Sequence, residues 1–246
     1  MKSRGFSLVE LLVAIGVLGL LLGVLLPALA KARSSAGAAK SLANLHNLGI
    51  TLHVYGERNR GQAPFFQPGE DCLFGAPPEQ IGRDSSKCVR VSPVWSIEWL
   101  WPMLMHDVAP WPEHFESWLS PGHRRKPPYW PVPVGIGVRI VSYDYSRSFV
   151  ASPRVWSDEG QVDDSDVRPV SWSAVQHPSR KVVMYDAERN YLRTRVSEPR
   201  PLLFVDGAAS LRNDAHATKP VVNRLFRVGR PRIYHDTPNG VRGWDF

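Results

Sequence analysis

Glu10 is the side chain whose setting most needs a chemical reason. It is a lone carboxylate within an otherwise apolar run from Phe6 to Ala30. Inside a membrane-length apolar segment a carboxylate is costly unless a cation or a donor meets it, which makes it a candidate for pairing. It also stands near the start of the run, within snorkelling reach of a headgroup layer, so spacing alone leaves both readings open. Cys72 and Cys88 enclose 15 residues. In an oxidising compartment a bridge closing that loop is worth about 3 kcal/mol, and the disulfide is the adopted reading over two separate thiols. Zinc is set aside, because no His or Cys pair of suitable spacing completes four ligands. Asp158, Glu159, Asp163, Asp164 and Asp166 form an acidic cluster. Asp163, Asp164 and Asp166 are its candidate calcium ligands, although the spacing matches no EF-hand loop and a solvated loop is the adopted reading. His46 and His53 fit solvated or packing positions better than ligand positions. The chain has no G-x-S-x-G, no H-E-x-x-H and no P-loop, and Ile140 stands where a dinucleotide loop after Gly135-Ile-Gly137 would need its third glycine. No catalytic residue and no cofactor is expected.

The element that carries Glu10 is long. From Leu11 to Ala30 there are 20 consecutive uncharged residues, which as a helix span about 30 Å, the thickness of bilayer hydrocarbon. A secretory signal peptide would have a shorter apolar region followed by a small-residue cleavage site. Beyond the run an alanine-rich stretch leads to Leu42, Leu45, Leu48, Leu52 and Tyr55, at steps of three and four that mark one helical face. The pattern predicts a single helix over residues 6–57, apolar all round in its first half and amphipathic in its second, with Gly56 and Gly61 supplying the stop. Gly19-x-x-x-Gly23 fits the small-xxx-small pattern of packed membrane helices, and Pro27 is expected to kink or melt the helix near its outer end.

Gly5-Phe6-Ser7-Leu8-Val9-Glu10-Leu11-Leu12-Val13-Ala14-Ile15 closely resembles the cleavage and methylation motif of type IV prepilins and type II secretion pseudopilins. The resemblance implies processing by a prepilin peptidase and methyltransferase, which would cut after Gly5 and methylate the new amine on Phe6. It makes Glu10 the fifth residue of the mature chain, where the Phe6 ammonium of one subunit would pair with Glu10 of its neighbour and set axial register. It also implies that the stretch from Gly19 through Pro27 can loosen when subunits leave the membrane for the filament.

Composition changes after Gly61. Of 22 prolines, 21 lie beyond it, and helical periodicity ends, so a separate head is expected over residues 61–246, beginning with surface loop to about Gln80. Residues 92–133 hold six of the nine tryptophans and nine prolines, with one short helix expected over 94–105 presenting Trp95 and Trp99 to a core. Stacking on sugars or bases is the alternative use of these rings, and core packing is the adopted one. Strands are expected around Val138 to Tyr145, at Lys181-Val-Val-Met-Tyr-Asp186, at Leu202-Leu-Phe-Val205, at 208–211 and over 221–234, with Asp206-Gly207 as a two-residue hairpin turn. The sum is an α+β fold, pilin-like in outline: a long N-terminal helix packed on an antiparallel sheet.

The head is similar, in scattered pieces, to a pilin-like group named for a histidine followed nine residues later by Asp-Gly. Val141-Ser-Tyr-Asp-Tyr145, His177-Pro-Ser-Arg-Lys-Val-Val-Met-Tyr-Asp186 and Leu203-Phe-Val-Asp-Gly207 fit it, whereas Val196 and Ala208 replace its histidines. Formal charge is +7, and the last 58 residues hold 11 basic against 5 acidic side chains. That tail, with Arg224, Arg227, Arg230, Arg232 and Arg242, has no nucleic-acid reading module beside it, which argues for a solvated or subunit-contact surface. The expected organisation is a leader at 1–5, a transmembrane and amphipathic helix at 6–60, and the head at 61–246. The expected protein is a filament subunit with a single pass through the inner membrane, its N-terminus cytoplasmic and its head periplasmic or in an extracellular filament. Its partners would be the processing peptidase, other pilin or pseudopilin subunits, and membrane lipid. The alternative is a minor or tip subunit that binds DNA, surface polymer or a secretion substrate.

Overall fold

The computed structural model describes residues 7–66, 94–95, 97–105, 107–123, 141–192, 198–226 and 230–246. Gly5, Phe6, Cys72, Cys88, Trp130, Val138, Ile140, Val196 and Arg227 lie outside the described residues.

Helix α1 runs from Leu8 to Arg58, 51 residues and about 77 Å at the usual rise. A capping box starts it. Glu10 N donates to Ser7 Oγ at 3.1 Å and Ser7 N donates to Glu10 Oε2 at 2.9 Å, so two of the orphan donors of the first turn are satisfied. The helix passes through Pro27 without a break, so of the expected kink or melting the melting does not occur in this chain. Proline removes one hydrogen bond, and the cooperative turns on either side hold the helical path. At the other end Asn59 N donates to Tyr55 O and Gly56 O, and Gly61 follows at φ +74°. The stop is made one residue earlier, where Arg60 takes φ +56° and Gly61 N donates back to Gly56 O at 2.8 Å; Gly56, expected to share in the stop, lies inside the helix.

The two halves of α1 have different surroundings. Large apolar side chains from Leu8 to Leu29 are 47–78 % exposed, while the buried residues are Gly37, Ser41, Asn44, Leu45, Leu48, Gly49, Leu52 and Gly56. These recur at three and four and so form one stripe. Leucine periodicity identified Leu45, Leu48 and Leu52; Leu42 and Tyr55 are only partly buried. The small members of the stripe permit close approach. A Cβ on Gly37 would stand 2.5 Å from Tyr191 Cβ, and one on Gly56 would stand 2.6 Å from the Trp172 ring nitrogen.

The described strands β1 (Tyr143–Tyr145), β2 (Val182–Asp186), β3 (Arg200–Phe204) and β4 (Ala209–Arg212) form an antiparallel sheet in sequence order. Its β3–β4 connection is a hairpin around Asp206-Gly207, but with three loop residues rather than two. Gly207 N donates to Phe204 O, Phe204 N donates to Ala208 O, and Gly207 takes φ +85°. This is a type I turn closed by a left-handed glycine.

Both faces of the sheet are covered. Val183, Met184, Leu203 and Val205 join the core beneath α1 together with Trp95, Trp101, Trp118 and Trp156. Val182, Tyr185, Leu202 and Phe204 join Tyr234, Ile233 and Phe246 on the other face. The layers are therefore helix, sheet and C-terminal segment.

Three expectations for the head need correction. The chain just after Gly61 is not surface loop, since Ala63, Phe65 and Phe66 are buried in the core. Residues 94–105 do not form one helix. A four-residue turn at Ile97–Leu100 passes into a 3₁₀ helix at Trp101–Met105, where Pro102 stands. Trp101, rather than Trp99, is the fully buried ring; it meets Trp118 edge to face at 5.0 Å and donates to Tyr143 O. The stretch 221–234 is not a strand in its described part. Asn223 Oδ1 accepts from Leu225 N and Phe226 N, a local turn that takes the backbone donors a strand would need.

Replacing Gly37 by Val should lower the melting temperature of the full chain in detergent, through about 1–3 kcal/mol of overpacking against Tyr191. Gly16→Val should leave that transition in place, because a Cβ there meets nothing within 4 Å.

Candidate functional site

The first half of α1 is defined by what it lacks. Among the described residues its large apolar side chains stay 47–78 % exposed, with only Leu26 to Ala30 facing Tyr191 and Leu192 across a cavity, and an added Cβ at Gly16, Gly19 or Gly23 meets nothing within 4 Å. It is the one described helix long and apolar enough to cross a membrane. Lys31 and Arg33 close the uncharged run, as cations do at a hydrocarbon boundary. The Glu10 carboxylate is engaged within its own chain by Ser7 N. Its position makes it available to a cation from another chain only by giving up, or sharing, that contact.

The head is tied to α1 through polar joints that spacing did not reveal. Asp186 Oδ2 accepts from Ser41 Oγ at 2.7 Å and from Ser120 Oγ at 2.8 Å. Its Oδ1 accepts from Arg189 N and Glu188 N. Tyr143 Oη donates to Ser41 Oγ and accepts from Asn44 Nδ2, so helix, β1 and β2 share one network. Burial pushes the Asp186 carboxyl above the ordinary aspartate value despite these donors.

A second buried centre joins Glu98, Asp144, Arg147, Tyr185, Arg232 and His235. Glu98, Asp144 and His235 bring potential ligand atoms within 4.8 Å of one another. Their hydrogen bonds fit a metal ion poorly. His235 Nδ1 accepts from Arg147 N, which in a neutral ring leaves the proton on Nε2, and that atom faces Tyr185 Oη at 2.7 Å. The cationic place is filled by Arg232, 2.6 Å from Glu98 and 3.3 Å from Asp144, and Arg147 adds a contact to Glu98 at 3.1 Å. Although burial works against its charge, Tyr185, Glu98 and Asp144 hold the Arg232 guanidinium above its ordinary value. The centre is a closed ion-pair network that fastens the C-terminal segment to the Trp-rich segment and the sheet.

The candidate calcium ligands do not converge. Asp163 caps the short helix Asp164–Asp166 by accepting from Ser165 N, and Asp166 is buried against Arg154 at 2.9 Å. Neither forms a cation-holding group with Asp164 among the described residues. The basic tail is also partly committed. Arg224 holds the carbonyls of Ser157, Glu159 and Gly160, and Arg232 lies in the network above, while Arg230 and Arg242 are exposed. His46 Nδ1 lies 3.3 Å from Gly207 O, and His53 lies beside Trp172, both as packing residues on the helix surface.

Residues 1–26 match the family model of the prokaryotic N-terminal methylation motif. Comparisons with curated proteins and with solved structures found no match. The motif supports the prepilin and pseudopilin class, structural filament subunits rather than enzymes, anchored in the inner membrane by one apolar N-terminal helix. The match ends at Leu26, so the likeness of the head to the histidine and Asp-Gly group rests on the head's own residues.

One ion pair in the head gives a pH prediction. Arg200 grips Asp214 through Nε and Nη2 at 2.6–3.0 Å, and Tyr234 Oη donates to the same carboxylate. Burial would raise the Asp214 carboxyl, but Arg200 and Tyr234 hold it below the ordinary aspartate value. A depressed folded value means that the stabilisation is present above the unfolded value and is lost as pH falls through the folded one. Asp214→Asn should therefore cost about 1–3 kcal/mol at neutral pH. It should also flatten the loss of stability below pH ~4, measured by denaturant titration across pH.

Proposed function

We propose that this chain is a prepilin-type subunit of a type IV pilus or type II secretion pseudopilus. The observation that carries the reading is the pairing of the methylation motif at residues 1–26 with a helix whose large apolar side chains stay exposed in its first half. A prepilin peptidase cuts after Gly5, and the amine of Phe6 is methylated. Residues 6–60 anchor the subunit as a single pass with a cytoplasmic N-terminus. The head at 61–246 lies in the periplasm or on the filament surface, where Cys72 and Cys88 form a disulfide.

Assembly then rests on Phe6 and Glu10. In a neighbouring subunit the Phe6 ammonium replaces the Ser7 amide as the stronger partner of Glu10. At ~4 Å and an effective dielectric near 20 the attraction is on the order of 4 kcal/mol before desolvation is subtracted. A subunit displaced along the bundle loses that contact, so the pair sets axial register. Gly19 lets a neighbouring helix approach, and Pro27, lacking its amide proton, is where α1 gives way as the subunit leaves lipid.

A minor or tip subunit that binds DNA, surface polymer or a secretion substrate is the rival reading. It draws on the basic tail, and two of the arginines it would use, Arg224 and Arg232, are occupied inside the head.

Mass spectrometry of the mature N-terminus should find methylated Phe6. Gly5→Leu should leave the leader attached, and recovery of Met1 on the wild-type chain in cells that contain the peptidase would refute the assignment. Glu10→Ala should still be cleaved but should fall by ~tenfold or more in the sheared filament fraction, the effect of 1.4 kcal/mol or more. Equal incorporation of wild-type and variant subunits would remove Glu10 from the assembly step.

A further inference from the structure

Lys181 is fully buried, and its amine meets three groups: Ser148 Oγ at 3.1 Å, Thr237 Oγ1, and Asp245 Oδ2 at 3.2 Å. Ser148, Thr237 and Asp245 are themselves 0–2 % exposed. A buried ammonium and carboxylate carry a desolvation cost that their attraction offsets only in part. Condensing them to an amide leaves a neutral group that costs far less to bury.

The surroundings have the parts such a condensation needs. Ser148 Oγ gives its proton to His235 O, so its lone pair receives the Lys181 amine and orients it. Thr237 Oγ1 accepts from Lys181 Nζ and donates to Asp245 Oδ1 at 2.6 Å, which links the attacking nitrogen to one carboxylate oxygen through a single hydroxyl. Val182 N donates to the other oxygen, Oδ2, at 2.8 Å, where negative charge would collect during attack. Burial also pushes the Lys181 amine below its ordinary value, which favours the neutral nucleophile.

From this geometry we propose that Lys181 and Asp245 form an intramolecular isopeptide bond, with Thr237 as the proton relay and the Val182 amide as the oxyanion donor. The ammonium first passes a proton through Thr237 to Oδ1. The freed amine attacks Cγ, forming the C–N bond while Oδ2 takes up negative charge against Val182 N–H. A second proton travels from nitrogen through Thr237 to Oδ1. The C–Oδ1 bond breaks, water leaves, and Oδ2 returns to a carbonyl. Ammonium and carboxylate become amide and one water, with no oxidant or co-reactant. The bond joins the start of β2 to the C-terminal segment and locks the layer that covers the outer face of the sheet. It does not depend on how the N-terminus is processed.

Tryptic mapping of the purified full chain tests the bond directly, because Arg180, Arg189 and Arg242 flank the two reacting residues. The expected product is the Lys181 peptide joined to Gly243-Trp-Asp-Phe246, lighter by one water than the two separate peptides. Recovery of Gly243-Trp-Asp-Phe246 only in the free form from wild-type protein overturns the proposal. Lys181→Arg keeps the charge but offers no amine nucleophile, and should give only separate peptides; a joined species in that variant would also overturn it. Thr237→Val should slow formation of the joined peptide by ~tenfold or more, as loss of a proton relay does. An unchanged rate would remove Thr237 from the mechanism.

Discussion

Apolar surface that its own chain does not cover is the constraint on which this molecule is built. From Leu8 to Leu29 the helix exposes its large apolar side chains on every side. Leaving each Leu, Val or Ile in water costs about 1.5–3 kcal/mol relative to burial, far more in sum than a domain's net stability. The segment therefore belongs in hydrocarbon or among other helices, and the head is arranged to leave it free. Among the described residues, those of α1 that the head buries run from Gly37 to Gly56.

That grip is geometric as much as hydrophobic. Glycine at 37 and 56 brings Tyr191 and Trp172 closer to the helix axis than any larger residue allows, and Gly49 lets Leu203 settle closely between them. The leucines between them fill the core, and the Ser41–Asp186–Ser120 joint adds direction to contacts that packing alone would leave free to slide. Across the sheet the ion-pair centre around Arg232 does similar work for the C-terminal segment.

Much of this was legible in the chain because its signals are local. Periodicity and the Asp206-Gly207 turn act within a few residues, and they located α1, the β3–β4 hairpin and β2. The motif around Glu10 was equally local. What spacing could not show were partners far apart in sequence, such as Glu98 with Arg232 or Lys181 with Asp245. The basic tail looked like free surface for that reason. The stretch 221–234 has strand-forming composition, but Asn223 turns its own backbone, and a side chain competing for main-chain donors outweighs β propensity there. The acidic run at Asp163 to Asp166 is read in the same way: its carboxylates cap a turn and meet Arg154, contacts that spacing did not show.

The capping box at Ser7 has a further consequence for any bilayer-resident copy. Its acid is met by an amide of the same chain, so a solitary copy does not carry a wholly bare carboxylate. A neutral amide shares the carboxylate's charge without cancelling it, and a formal cation would do both. The first turn thus carries its anion with one donor from within and one face of the carboxylate still open to a partner.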